Sequence, residues 1–205
     1  MSDTRTSDRF LTQLRRLETL MDVVYALVIW KLFTLFPHPG DEEYRSVWEV
    51  LTSNPQAVLL VVIGIVIVII YWEQNNKLFG NLERTDTKHT AIAIVQIFCL
   101  LLFLYAIRIG TEYEPHADTR LFESITAMLV GVPAYLGWRH AKRAGLISPE
   151  VSKEQADDIS VTILAEPITA AITIPFAIFT PLLWEAAWFS YPLVSKLLSR
   201  RKEKL

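Results

Sequence analysis

The sequence predicts an all-α integral membrane protein with six transmembrane helices in a single domain, and three observations carry that reading. Ala57–Trp72 is an unbroken apolar block of sixteen residues. Five further apolar runs are joined to it by short polar connections. Lys and Arg gather on alternate connections, as they do where basic residues are retained on the cytoplasmic side.

The apolar block is the strongest signal. With its flanks it approaches the roughly 20 residues that carry a helix across a bilayer. A buried parallel strand is as apolar but stops after about 4–8 residues. The first run, Met21–Phe36, carries two polar intrusions, Asp22 and Lys31. The third, Ala91–Ile107, is broken only by Gln96, and the fourth, Leu121–Trp138, by Glu123 and small hydroxyls. Ile159–Leu198 is too long for one crossing and divides at Pro181, where the missing N–H and the ring disfavour a continuing helix. The expected spans are 17–36, 56–75, 90–109, 120–140, 159–179 and 182–199. A hydrophobic content of 52% agrees with them.

Charge tests the count independently. With the N-terminus placed inside, sixteen Lys and Arg residues fall on inner segments and three, Arg45, Arg108 and Arg120, on outer loops, with Lys31 inside a span. Both termini are therefore expected in the cytoplasm. The net charge of −2 says nothing about nucleic acid, because the basic residues are already used in setting topology, and no nucleic-acid partner is expected. Cys99 sits alone in mid-span as a packing residue, and no small-residue cleavage site follows the first run. The outer stretch Pro37–Pro55, with Tyr44, Val47, Trp48 and Val50, suggests a short interfacial helix. Ser152 reads as an N-cap with Gln155 in the capping-box position.

Enzyme chemistry finds no support. His38, His89, His116 and His140 form no i, i+4 metal pair, and the seven glycines form no phosphate-cradling loop. No metal and no cofactor is expected. The informative groups are instead the polar residues within the spans, which are expensive in hydrocarbon and usually functional. Arg108 and Glu123 stand level at the outer ends of the third and fourth spans and are expected to pair. Glu166 is expected to meet Arg16 or Lys88. Pro133, Pro167 and Pro175 should kink their helices, and Ala127-x-x-x-Gly131 offers a face for close helix approach.

The sequence around the first span, Arg16 to Asp22 (RLETLMD) followed by VVYALVI, resembles the signature of the transmembrane protein 175 family of potassium channels, Arg-x-x-x-Phe-Ser-Asp. Arg16 and Asp22 match its ends, while Leu20 and Met21 stand where Phe and Ser are usual. The stretch YWEQNNKLF resembles the family's tryptophan and histidines at the inner end of the second span. Trp72 is kept, and Asn75 and Asn76 occupy the histidine positions. The six-span layout is similar to that of bacterial members, in the plasma membrane, over nearly the whole chain.

That resemblance implies a homotetramer conducting monovalent ions, potassium foremost, along an axis lined by the first helix of each subunit. The hydrophobic constriction of the family falls on Leu27, and helical spacing puts Lys31 and Thr34 on the same face. It also implies a packed inner cluster of Arg16, Asp22, Trp72 and Asn75. Trp30 and Lys31 depart from the family pattern where conduction is decided. Lys31 either lines the path, where a basic ring selects for anions, or snorkels to the outer surface or pairs with Glu185 in the sixth span. Three functions stay open: a cation channel, a related pore with altered selectivity or none, and an ion-coupled transporter using Lys31, Glu166 and Glu185.

Overall fold

The structure, a computed structural model, describes residues 2–38, 46–112 and 116–200. Tyr44, Arg45, Glu203 and Lys204 lie outside them. Every named element among the described residues is helical. They are α1 (Ser2–Phe33), α2 (Val47–Ser53), α3 (Pro55–Gly80), α4 (Thr87–Glu112), α5 (Ala117–Ala144), α6 (Lys153–Thr162), α7 (Ala165–Phe176), α8 (Pro181–Trp188) and α9 (Tyr191–Arg200).

Among the described residues, four stretches are long and apolar enough to cross a membrane: α3, α4, α5 and Lys153–Phe176, which joins α6 and α7. The first helix is not among them, since Arg16, Glu18, Asp22 and Lys31 interrupt its apolar residues. The short interfacial helix is present as α2. Ser46 caps it by accepting a hydrogen bond from the Glu49 N–H at 3.2 Å. Asn54 then caps α3, with Pro55 in the first turn where a missing N–H is harmless. The Ser152 capping box on α6 is also present, with both reciprocal bonds formed.

The last two expected spans are each broken, 159–179 near its start and 182–199 in its middle. Between α6 and α7 the chain turns at Ile163–Leu164, four and three residues ahead of Pro167. Between α8 and α9 it turns at Phe189–Ser190, three and two residues ahead of Pro192. The cause is common to both: a proline ring clashes with the carbonyl four residues earlier, so the helix restarts with proline in its first turn. Pro181 starts α8 under a Thr180 cap, as the sequence indicates. Pro133 and Pro175 lie inside α5 and α7.

α5 is the hub. It packs along α4 and α7 and also touches α3 and α6, while α1 leans on α3 and α4. Close approach to α7 is possible because Gly131 faces Pro167: a Cβ there would sit 2.7 Å from Pro167 Cδ. Ala127, one turn earlier, is fully buried, and its carbonyl accepts the Tyr71 hydroxyl from α3 at 2.7 Å. The expected small-residue face thus receives helices from two directions. Gly145 closes α5 in the left-handed conformation, φ 64°, which a side chain would strain.

Replacing Gly131 with Val should drive a branched side chain into Pro167 and destabilise the protein by about 1–3 kcal/mol, the usual range for overpacking. Gly80→Ala, where a Cβ meets nothing within 4 Å, serves as the control and should melt at or above the wild-type temperature. Thermal unfolding of detergent-purified protein checks both.

Candidate functional site

α1 has two faces of different character. Leu14, Leu17, Met21, Tyr25, Val28 and Leu32 repeat every three or four residues and are buried against α3 and α4. The opposite side carries Leu20, Val23, Leu27, Trp30 and Phe33, all exposed, with Leu27 54% and Trp30 56% accessible. Arg15, Arg16, Thr19, Lys31 and Thr34 are exposed as well. Leu27, Lys31 and Thr34 therefore share the face that the rest of the chain leaves uncovered. Lys31 Nζ lies 4.8 Å from the centre of the Trp30 ring. Thr34 has left the helix and turns its hydroxyl back to the Lys31 carbonyl at 2.6 Å.

The inner cluster is formed in part. Trp72 Nε1 donates to Asp22 Oδ1 at 3.0 Å, joining α3 to α1. Arg16 makes no ion pair with Asp22. Six residues at 3.6 per turn set the two side chains roughly 120° apart around the helix. Asn75 also stands apart, 3% exposed and turned toward His89, Gln96 and Trp138, with its side-chain carbonyl unpartnered.

Three expected charge pairs are replaced by others. Arg108 bonds Glu112 one turn along α4 at 2.7 Å, on the outside of the bundle, rather than Glu123. Glu123 instead points inward beneath Gly110, beside Arg120 and Glu185. Glu185 is consequently engaged with α5 and not with Lys31. Glu166 takes hydrogen bonds from Gln74 Nε2 at 2.6 Å and from the Tyr191 hydroxyl at 3.1 Å, and neither Arg16 nor Lys88 reaches it. Arg108 and Glu123 stand level, as Gly110 against the Glu123 carboxyl shows, but face different ways around their helices.

Sequence reasoning missed most of the buried polar bonds. The Trp184 indole donates to Ser124 Oγ at 2.9 Å, and Ser124 shares a hydrogen with Thr173 at 2.7 Å, tying α5, α7 and α8 together. Trp138 Nε1 donates to the Ala156 carbonyl at 2.9 Å. Gln96 reaches the Tyr25 hydroxyl at 3.4 Å. Polar residues inside apolar runs were the only sequence signal, and that signal names a residue without its partner. An apolar groove of about 220 Å³ between α3, α7 and α9 has Glu166 at its wall.

At the opposite end from α2, Asp86 caps α4 through the His89 N–H at 2.7 Å and meets His140 Nε2 of α5 at 2.8 Å. Thr85 bonds His89, and Gln13 of α1 bonds Thr90 nearby at 3.1 Å. Partial burial pushes the Asp86 carboxyl up. The His89 N–H and His140 outweigh it, holding Asp86 below its ordinary 3.8.

Residues 16–103 match the family described as endosomal/lysosomal potassium channel TMEM175. The fold is similar to that of a lysosomal potassium-selective channel TMEM175 homolog from Chamaesiphon minutus, with a TM-score of 0.69 and 16% identity over 93% of this chain and 98% of that one. It is also similar to a variant of the potassium channel MtTMEM175 crystallised with a nanobody–MBP fusion protein: TM-score 0.63, 15% identity, 93% and 94% covered. No curated protein matches the chain.

Because the Asp86 carboxyl is held below 3.8 in the folded chain, its contribution to stability is present above that pH and is lost as pH falls beneath it. Asp86→Asn should lower the unfolding temperature at pH 7 and flatten the decline below about pH 4. A melting series across pH 2.5–7 for both proteins (roughly the span over which a carboxylate titrates) checks it.

Proposed function

We propose that the chain, whose residues 16–103 match the endosomal/lysosomal potassium channel TMEM175 family, is a member of that family and an ion channel, passing potassium along an axis lined by α1. In this reading six spans make one domain: α1, α3, α4, α5, α6–α7 and α8–α9. Four copies surround the axis in the plasma membrane, with both termini in the cytoplasm.

The observation that carries the reading is the uncovered face of α1. A helix bearing Arg16, Asp22 and Lys31 on its exposed sides is poorly suited to lipid, where centrally placed charge costs about 2.5–3.5 kcal/mol per residue. Packed copies of the same helix around a wet axis resolve that conflict. The proposed topology also has support in where the cations lie. Lys77, Arg84, Lys88, Arg139, Lys142, Arg143, Lys153 and Lys196 share the end at which α1 begins.

On this arrangement Leu27 is the narrowest ring and excludes water when closed, as hydrophobic constrictions do. Lys31 lies one turn further out, about 6 Å along the axis. Its contact with the Trp30 ring, worth about 0.5–1 kcal/mol at an exposed site, draws the ammonium along the helix surface. A second reading rests on Lys31 standing on the uncovered face of α1: if the ammonium leaves the Trp30 ring and turns inward, four copies repel potassium and favour anions. Asp22 and Trp72 hold the inner ends of α1 and α3 together, and Arg16 is free to meet a neighbouring subunit.

Reconstituted liposomes under separate potassium and chloride gradients distinguish the two. The expected outcome is a reversal potential that follows potassium. Leu27→Ala should raise flux several-fold, and Lys31→Leu should raise potassium conductance by removing the outer barrier. A reversal potential that follows chloride, shifting toward potassium in Lys31→Leu, establishes the second reading. No ion flux from wild type or Leu27→Ala would overturn both.

A further inference from the structure

The end of the molecule at which α3 and α5 begin holds a small polar cavity of about 40 Å³. Exposed Asn54 and Gln56 and half-buried Thr119 form its mouth, and Arg120, Glu123 and Glu185 line its depth. None of its lining residues lies on α1.

Its chemistry is unusual for the interior of a helix bundle. Glu123 is 2% exposed, and its Oε2 has no hydrogen-bond partner. Glu185, 7% exposed, reaches the same space from α8. Arg120 acts electrostatically on both carboxyls while its Nε donates to the Ala177 carbonyl at 2.9 Å. Gly110 supplies the room, since a Cβ there would collide with the Glu123 carboxyl. A buried carboxylate oxygen without a donor is strongly destabilising, and either a proton on the carboxyl or a positively polarised occupant of the void beside it relieves that cost.

We propose that this cavity binds one small monovalent cation, entering at the Asn54–Thr119 mouth and held by Glu123 Oε2 with Glu185 as the second carboxylate. Volume sets the upper size. A space of this order takes one ion or one water and no hydrated cluster. Charge sets the valence. With both carboxyls ionised as the ion binds, two carboxylates beside one guanidinium leave about one negative charge to neutralise, and no group of three or more acidic, His or Cys ligands exists among the described residues. The Gln56 side-chain carbonyl, on the exposed first turn of α3, is placed to replace part of the ion's hydration shell as it enters.

The test uses purified protein in lipid nanodiscs, melted at fixed ionic strength in sodium, potassium or caesium chloride against N-methyl-D-glucamine chloride. Sodium or potassium should raise the midpoint saturably, by roughly 3–6 °C at ten times the dissociation constant. Caesium should do less, and N-methyl-D-glucamine nothing. Glu123→Gln should abolish the shift and Glu185→Gln should weaken its apparent affinity several-fold. Leu27→Ala should retain it, which separates this ion from any bound along α1. If Glu123→Gln fails to fold, rubidium anomalous scattering from wild-type crystals should still show a peak between Glu123 and Glu185. Equal midpoints in all four salts would make the occupant a water and overturn the proposal. So would a shift that persists in both Gln variants, or acid stabilisation in N-methyl-D-glucamine to which metal cations add nothing.

Discussion

Inside a bilayer no water is present to rescue an unpaired donor, and this architecture depends on how that constraint is met around α5. The Tyr71 hydroxyl ends on the Ala127 carbonyl, the Trp138 indole on the Ala156 carbonyl, and the Trp184 indole on Ser124. Each bond joins a different neighbour to the same helix or to the segment packed on it. Hydrophobic burial alone would leave the helices free to slide, since lipid tails are as apolar as the side chains they replace. Directional bonds to fixed carbonyls remove that freedom, and the Gly131–Pro167 contact sets how closely α7 sits.

Much of this was legible in the residues. Continuous hydrocarbon in Ala57–Trp72 and Ala91–Ile107 becomes α3 and α4 because nothing within those runs offers the backbone an alternative. The small face at Ala127 and Gly131 was visible because both residues lack bulk one turn apart. The two-faced character of α1 was visible in the positions of Leu27, Lys31 and Thr34. What the sequence did not disclose was azimuth. Arg108 and Glu123 share a depth, but α4 turns Arg108 out toward Glu112 and α5 turns Glu123 in toward Arg120. Glu166 likewise finds Gln74 and Tyr191, two uncharged partners that a search for opposite charge passes over. The turn ahead of Pro192 obeys the same proline rule as the one ahead of Pro167.

α1 connects these levels. Its buried stripe anchors it through Tyr25, Val28 and Leu32 to the bundle, and its Asp22 is tethered to Trp72 on α3. The remaining surface is given neither to the core nor wholly to hydrocarbon. A helix held firmly on one side and chemically mixed on the other is suited to meeting copies of itself. The polar network around Asp86, at the same end as its N-terminal half, fixes where α4 and α5 begin relative to that surface.

The turns at Ile163–Leu164 and Phe189–Ser190 have a mechanical consequence. Both lie about ten residues from the same end of the molecule, so α6 and α9, each ten residues long and touching one another, form a short raft with two joints at one level. Bending compliance is concentrated at that level instead of being spread along two continuous rods. Just beyond the joints the Tyr191 hydroxyl grips Glu166, which Gln74 holds in turn, so one bolt fastens the raft to both α7 and α3. A load applied to the end of the raft is thus carried to α3, and from α3, through Trp72, to the helix that bears the uncovered face.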